Sequence, residues 1–215
     1  LDLRWCDDPA AGDAAAGDPP AERHISLTQA RRVIEATHDL DPFAYTLHLD
    51  GREFLGPGGV AGLEPEAVRQ WQENGRRALE LVSGWVSDPA RLSVENVEAW
   101  DPEVFAPVVA ELPVARTIDV GHLWLQEVDP MEHLETWIDH ARVVHLHGIA
   151  DRDHASLALV PSERLDPVVD LLVTHFSGVV TLEVFDREDL RTSLEVLRAS
   201  IERAAAWRNT AIMRL

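Results

Sequence analysis

The sequence predicts an α/β protein of repeating strand–helix units, a (β/α)8 or TIM barrel, and three observations carry that expectation. Short apolar segments alternate with amphipathic ones along the 215 residues. Strands separated by helical segments run parallel, with right-handed crossovers. The strand candidates also carry His48, Glu95, Asp119, His145 and Glu183 at or near their carboxyl ends. A barrel gathers the ends of successive strands around one centre, which a doubly wound sheet does not. An open five- or six-stranded sheet is the alternative.

The elements follow in order. LDLRWC (1–6) reads as the end of a strand, and residues 9–23, rich in Pro, Gly, Ala and Asp without periodicity, as a flexible loop. Ser26 is placed to cap a helix running to about Leu40, with Leu27, Ala30, Val33, Ile34 and Thr37 on one face. AYTLHLD (44–50) is a strand, and the turn formers of 52–62 a loop. A helical pattern fills 65–87, and RLSVENVEAW (91–100) is the next strand. A short helix spans 102–111, followed by the strand ARTIDVGH (115–122) and a helix over 130–140. RVVHLHGI (142–149) is a strand, 162–174 a helix, GVVTLEVFD (178–186) the last strand and 188–207 the closing helix. The expected domain is a single barrel over residues 1–215. A full barrel needs eight strands in ~250 residues, so this chain is expected to lack its first two to three.

Composition narrows the chemistry. The chain is 46% hydrophobic and 27% charged, as a soluble globular protein would be, and Cys6 is its single cysteine. With no apolar run near the ~18 residues of a membrane span and no secretory signal, a cytoplasmic location and no membrane partner are expected. The formal net charge is -19, and all nineteen basic residues are arginine. Without lysine there is no Schiff-base chemistry and no phosphate-loop lysine. The acidic balance argues against nucleic acid as a partner, because a phosphate backbone is bound by clustered positive charge. A small molecule remains the expected ligand.

The candidate site is a set of metal-ligand types. His145 and His147 lie two apart in a strand and share a face. Asp119 and His122 are spaced D-x-x-H, while Asp151, Arg152, Asp153 and His154 follow the second strand closely. Imidazoles and carboxylates converging at strand ends suit a divalent-metal hydrolase or isomerase. For any one histidine, a surface or satisfied-core role is the default. His48, His122, His145 and His154 depart from it because they share their positions with three carboxylates. His147 is open between ligand, donor to a ligand and contact to substrate. Trp5, Trp100 and Trp124 each follow a strand end, where they either pack against the rim or offer a stacking surface to a flat ligand.

The series VENVEAW, TIDVGH, VHLHGIADRDHASL and TLEVFD resembles the xylose-isomerase-like barrel superfamily, which includes endonuclease IV and the sugar-phosphate isomerases and epimerases. IDVGHLWL, VVHLHG-x4-DH-x-SL and LEVF are most similar to a subgroup of cobamide-remodelling phosphodiesterases. The resemblance implies metal ligands at His48, Glu95, Asp119, His122, His145, His154 and Glu183, with Glu95 bridging two metals. In the family's D-x-H pattern, Arg152 stands where the aspartate would be, flanked by Asp151 and Asp153. A further family histidine would fall before Leu1.

Three readings follow. In the first, two or three divalent ions (zinc, manganese or iron) hydrolyse a phosphodiester, with Glu95 and Glu183 acting on the nucleophile and Arg152 neutralising phosphate. Its expected substrate is the nucleotide loop of a cobamide, cleaved to cobinamide phosphate and a ribazole nucleoside. Trp5, Trp100, Trp124 and His147 would contact that substrate. In the second, Glu95, Asp119, His145 and Glu183 hold one metal in a sugar or sugar-phosphate isomerase or epimerase, the glutamates doubling as acid and base. The third is a non-catalytic metal- or corrinoid-binding barrel.

Overall fold

The computed structural model describes residues 2–3, 25–49, 64–98, 101–150 and 152–212. Trp5, Cys6, the 9–23 segment, Trp100 and Asp151 lie outside them. Contacts divide the chain into two compact units, Leu1–Thr117 and Ile118–Leu215.

Unit 1 opens with β1 (Asp2–Leu3), α1 (Ile25–Thr37) and β2 (Tyr45–Leu49). It continues through α2 (Pro65–Ser83), β3 (Leu92–Glu95), α3 (Ala106–Ala110) and the first residues of β4 (Ala115–Asp119). Each strand pairs in parallel with the next, with Asp2 opposite His48, Thr46 opposite Ser93 and Glu95 opposite Thr117. The α1 face expected from periodicity is the buried one at Leu27, Ala30 and Ile34, whereas Val33 at its margin is 38% exposed. These side chains join Leu47, Leu79, Leu92 and Val94 in one core.

Successive strand residues point to opposite faces, so the leucines and valines of β2 and β3 bury one face while Thr46, Ser93 and Thr117 share the other. Thr117 Oγ1 donates to Ser93 Oγ at 2.7 Å, within 3.4 Å of Thr46 Oγ1. One pleat further along the strands, on the same face, stand His48 and Glu95.

Unit 2 begins inside β4 and contains α4 (Val120–Leu125), α5 (Pro130–Trp137), β5 (Ala141–Leu146), α6 (Ser162–His175), β6 (Val179–Leu182) and α7 (Arg187–Ile212). β5 and β6 pair in parallel, His145 opposite Thr181. Ile118, Leu123, Leu134, Val144, Leu146 and Leu165 form the core with the inner faces of α6 and α7. Asp166 ties those two helices together: Arg203 gives it two hydrogen bonds of 2.7 Å, and Ser200 one of 2.6 Å. Among the described residues, no helix is long and apolar enough to cross a membrane.

Element order agrees with the periodicity, but two ends differ in ways that shape the site. The strand expected over 115–122 stops at Asp119, because the Asp119 carboxylate accepts the His122 amide at 2.8 Å and caps a helix at once. His122 therefore sits on the first turn of α4. The last strand ends at Leu182, so Glu183 stands just past it, with its amide bonded to Leu146 O at 3.1 Å.

Candidate metal centre

Asp119 is the hub of unit 2. It is fully buried, as is His147, and His122 and His145 are nearly so. His147 Nε2 lies 3.0 Å from Asp119 Oδ1, and His145 Nδ1 and His122 Nδ1 lie 3.6 and 3.7 Å from Oδ2. Burial alone would raise the Asp119 carboxyl, but the imidazoles of His145, His147 and His122 outweigh it and hold the group well below the usual carboxylate range. Burial likewise opposes charging His147, yet the Asp119 carboxylate beside it wins and raises this imidazole above its ordinary value.

Two overlapping groups of donors share this aspartate. In one, His145 Nδ1 lies 2.6 Å from Glu183 Oε2 and 3.6 Å from Asp119 Oδ2. In the other, the donor atoms of Asp119, His122, His147 and His154 all lie within 4.8 Å of one another. Mixed imidazole and carboxylate donors at such spacing fit a divalent cation. Glu183 Oε2 and His147 Nε2 are both buried, the first against His145 Nδ1 at 2.6 Å and the second against Asp119 Oδ1 at 3.0 Å. Imidazoles and carboxylates buried against one another in this way are the donors a divalent cation would take, releasing the imidazole protons as it binds.

Local sequence explains how His154 arrives there. Gly148 and Ala155 form an antiparallel bridge with N–O distances of 2.7 and 3.0 Å, closing the excursion between them. A Cβ on Gly148 would lie 2.0 Å from Ser156 O, so only glycine permits that closure. The bridge returns the chain so that the rings of His154 and His147 stack at 4.4 Å and 20°. His154 takes a left-handed φ of 54°, a conformation that costs about 1–3 kcal/mol outside glycine and collects at functional sites. Asp153 Oδ2 is 3.2 Å from His154 Nδ1 and 3.3 Å from His122 Nε2, so Asp153 stands among these imidazoles.

His48 Nε2 lies 3.0 Å from Glu95 Oε2 in unit 1, where Glu95 is buried and His48 half-buried. The Arg152 guanidinium pairs with Asp189 on α7 and lies 3.4 Å from His154 O. Trp124 is packed in the core of unit 2, with the Arg164 guanidinium 5.6 Å over its ring and one edge on a cavity of about 570 Å3 between α4, α5 and α6. It is therefore no open stacking surface beside the donors. Phe185, 75% exposed and 4.7 Å from the His154 ring, is the aromatic that sequence reasoning passed over. Its place two residues after Glu183 in LEVFD was the available signal.

No family model matches the chain, and no curated protein matches it in sequence. Solved structures do match in fold. A D-tagatose 3-epimerase-like protein superposes with a TM-score of 0.63 at 18% identity, over 90% of this chain and 76% of its own. An L-ribulose 3-epimerase gives 0.61 at 12% identity, over 94% and 74%. Endonuclease IV from Thermus thermophilus gives 0.55 at 22% identity, over 90% and 73%. All three are xylose-isomerase-like TIM barrels. The fold of this chain is thus the parallel α/β fold of TIM barrels, as the strand–helix alternation predicts.

Proposed function

We propose that the chain is a divalent-metal-dependent enzyme that moves a proton beside the carbonyl of a small polyhydroxylated substrate, as an isomerase or epimerase of sugars or sugar phosphates. The observation that carries this reading is the Asp119–His145–Glu183 group: a wholly buried carboxylate and a 27% exposed one, both directed at one imidazole. A divalent ion held there would polarise a substrate carbonyl and stabilise the charge left by a departing proton. Asp119 and His145 are placed to bind. Glu183, open to solvent on one side, can reach a substrate carbon and carry the proton. His48 and Glu95 belong to this proposal on their sequence alone. The epimerases that share the fold support it.

The test is deuterium exchange. Metal-loaded protein is incubated in D2O with a panel of ketoses and ketose phosphates, and proton NMR follows the signal beside the carbonyl. Metal-dependent loss of that signal, abolished by Glu183→Gln, is expected. Absence of exchange on every sugar would refute the reading.

A second reading, phosphodiester hydrolysis, is favoured by a separate observation: three further imidazoles, those of His122, His147 and His154, gather on the same aspartate. Such a donor set suits the activation of a water as nucleophile. The cobamide nucleotide loop is its proposed substrate, on sequence resemblance alone. Arg152 would serve it only by leaving Asp189. Chromatography of a cobamide incubated with metal-loaded protein would reveal a ribazole nucleoside if this reading holds, and an unchanged cobamide would refute that substrate.

A further inference from the structure

We propose that α7 positions His154: Asp189, Thr192 and Ser193, on the first two turns of that helix, fasten the loop after β5 and so hold the His154 ring against the candidate centre. They are positioning residues. The inference rests on the reading of that centre as a divalent-metal site and is independent of which reaction it performs.

The loop leaves β5 at Leu146 and closes through the bridge between Gly148 and Ala155. Inside it, His154 holds its left-handed φ of 54°, a strained conformation that lasts only where its surroundings over-determine it. Attachments to α7 supply that constraint. The Arg152 guanidinium bonds Asp189 and lies 3.4 Å from His154 O. Ser156, two residues beyond His154, has its Oγ 2.6 Å from Thr192 Oγ1. The Leu157 amide donates to Ser193 Oγ at 2.9 Å.

One arrangement of hydrogens serves all of these hydroxyls, each of which has a single hydrogen to give. Thr192 donates back to Glu188 O at 2.9 Å, so it accepts from Ser156. Ser156 in turn accepts the Ala158 amide at 3.1 Å and the Ser193 hydroxyl at a long 3.5 Å. Such a relay fixes register as well as distance, because a loop displaced by one residue would lose these links together. α7 is also turned to make them. It buries Ser193 and Ser200 completely, while Leu190, Leu194 and Ile201 stay 37 to 42% exposed. Hydrophobic burial alone would turn the leucines inward. Hydrogen bonds to the loop and, through Ser200, to Asp166 set this face instead.

Two variants loosen the fastening with little change of shape: Thr192→Val, which keeps the branched volume, and Ser193→Ala. The first measurement is hydrogen–deuterium exchange on the metal-free protein, read by mass spectrometry over peptides spanning 148–155. Both variants should exchange there about tenfold faster, while β5 and α6 keep parental rates. Thr192→Ser, which restores the hydroxyl, should return the rate towards the parent's. Asp189→Asn, at the surface end of the fastening, gives the same test if the buried changes do not fold. Parental exchange in folded variants would overturn the proposal, as would acceleration spread evenly over unit 2. The second measurement is calorimetric titration of the chelator-stripped protein with Co2+. Ser193→Ala should weaken cobalt binding about tenfold, and should weaken it no further when His154→Ala is already present. Equal losses with and without the imidazole would make Ser193 a packing residue and overturn its positioning role. If the parent takes up no cobalt, the metal reading falls, while the exchange rates still decide the fastening.

Discussion

Replacing Gly121 by alanine makes a quantitative case for how tightly this region is packed. The added methyl would stand 2.1 Å from the His147 ring, more than 1 Å inside ordinary carbon–carbon contact of about 3.5–4.0 Å. Neither side can retreat. The His147 ring is fully buried between Asp119 and Gly148, and Val120 and Leu123 of α4 are equally buried. Overpacking of this kind costs about 1–3 kcal/mol, and complete enclosure puts this site at the upper end. Alanine recovers about 0.5–1 kcal/mol in a helix, so a net loss of about 2 kcal/mol is expected. Urea unfolding followed by circular dichroism should show a lower midpoint with an unchanged slope. The mechanism is tested by the double variant with His147→Ala, where removing the ring should relieve most of the alanine penalty. The resulting coupling is about 1–2 kcal/mol. If Gly121→Ala costs less than about 0.5 kcal/mol, or costs the same with and without the ring, the steric reasoning is wrong.

Other outcomes follow from the same geometry. Glu183→Gln should weaken metal binding at least tenfold by equilibrium dialysis, because a neutral amide replaces the carboxylate 2.6 Å from His145. Saturating metal should raise the thermal midpoint. A ligand at a hundred times its Kd adds about 2.7 kcal/mol, which is roughly 5–10 °C for a chain of this length, and a chelator should reverse the shift. Asp166→Asn should cost about 1 kcal/mol at neutral pH by removing the bidentate link to Arg203. The Arg203 guanidinium lowers the Asp166 pKa, so this stability is fully present above the unfolded value of about 3.9 and is lost as pH falls through the lower folded value. Denaturation midpoints of parent and variant should therefore differ above pH ~4 and converge in stronger acid. A constant gap down to low pH would refute the linkage.

Sequence by itself determined the order of elements and the kind of chemistry. Alternating apolar runs and helical stripes specify parallel βα units because burial periodicity is local, and D-x-x-H, H-x-H and L-E-V-F mark donor types without reference to anything distant. A composition without lysine likewise removed whole reaction classes. Tertiary structure decided how those donors pair. Asp119 ends its strand by capping α4, which the strand-like pattern TIDVGH conceals, because a cap is a hydrogen bond between a side chain and one particular amide. His147 stands against Asp119 only because residue 121 lacks a side chain, a steric fact between residues 26 apart in sequence. Trp124 looked like a rim aromatic, yet its helix turns it into the core. Arg152 looked like a phosphate ligand, yet α7 brings Asp189 to it. In each case the residue type was legible, while its partner was set by chain segments that meet only after folding.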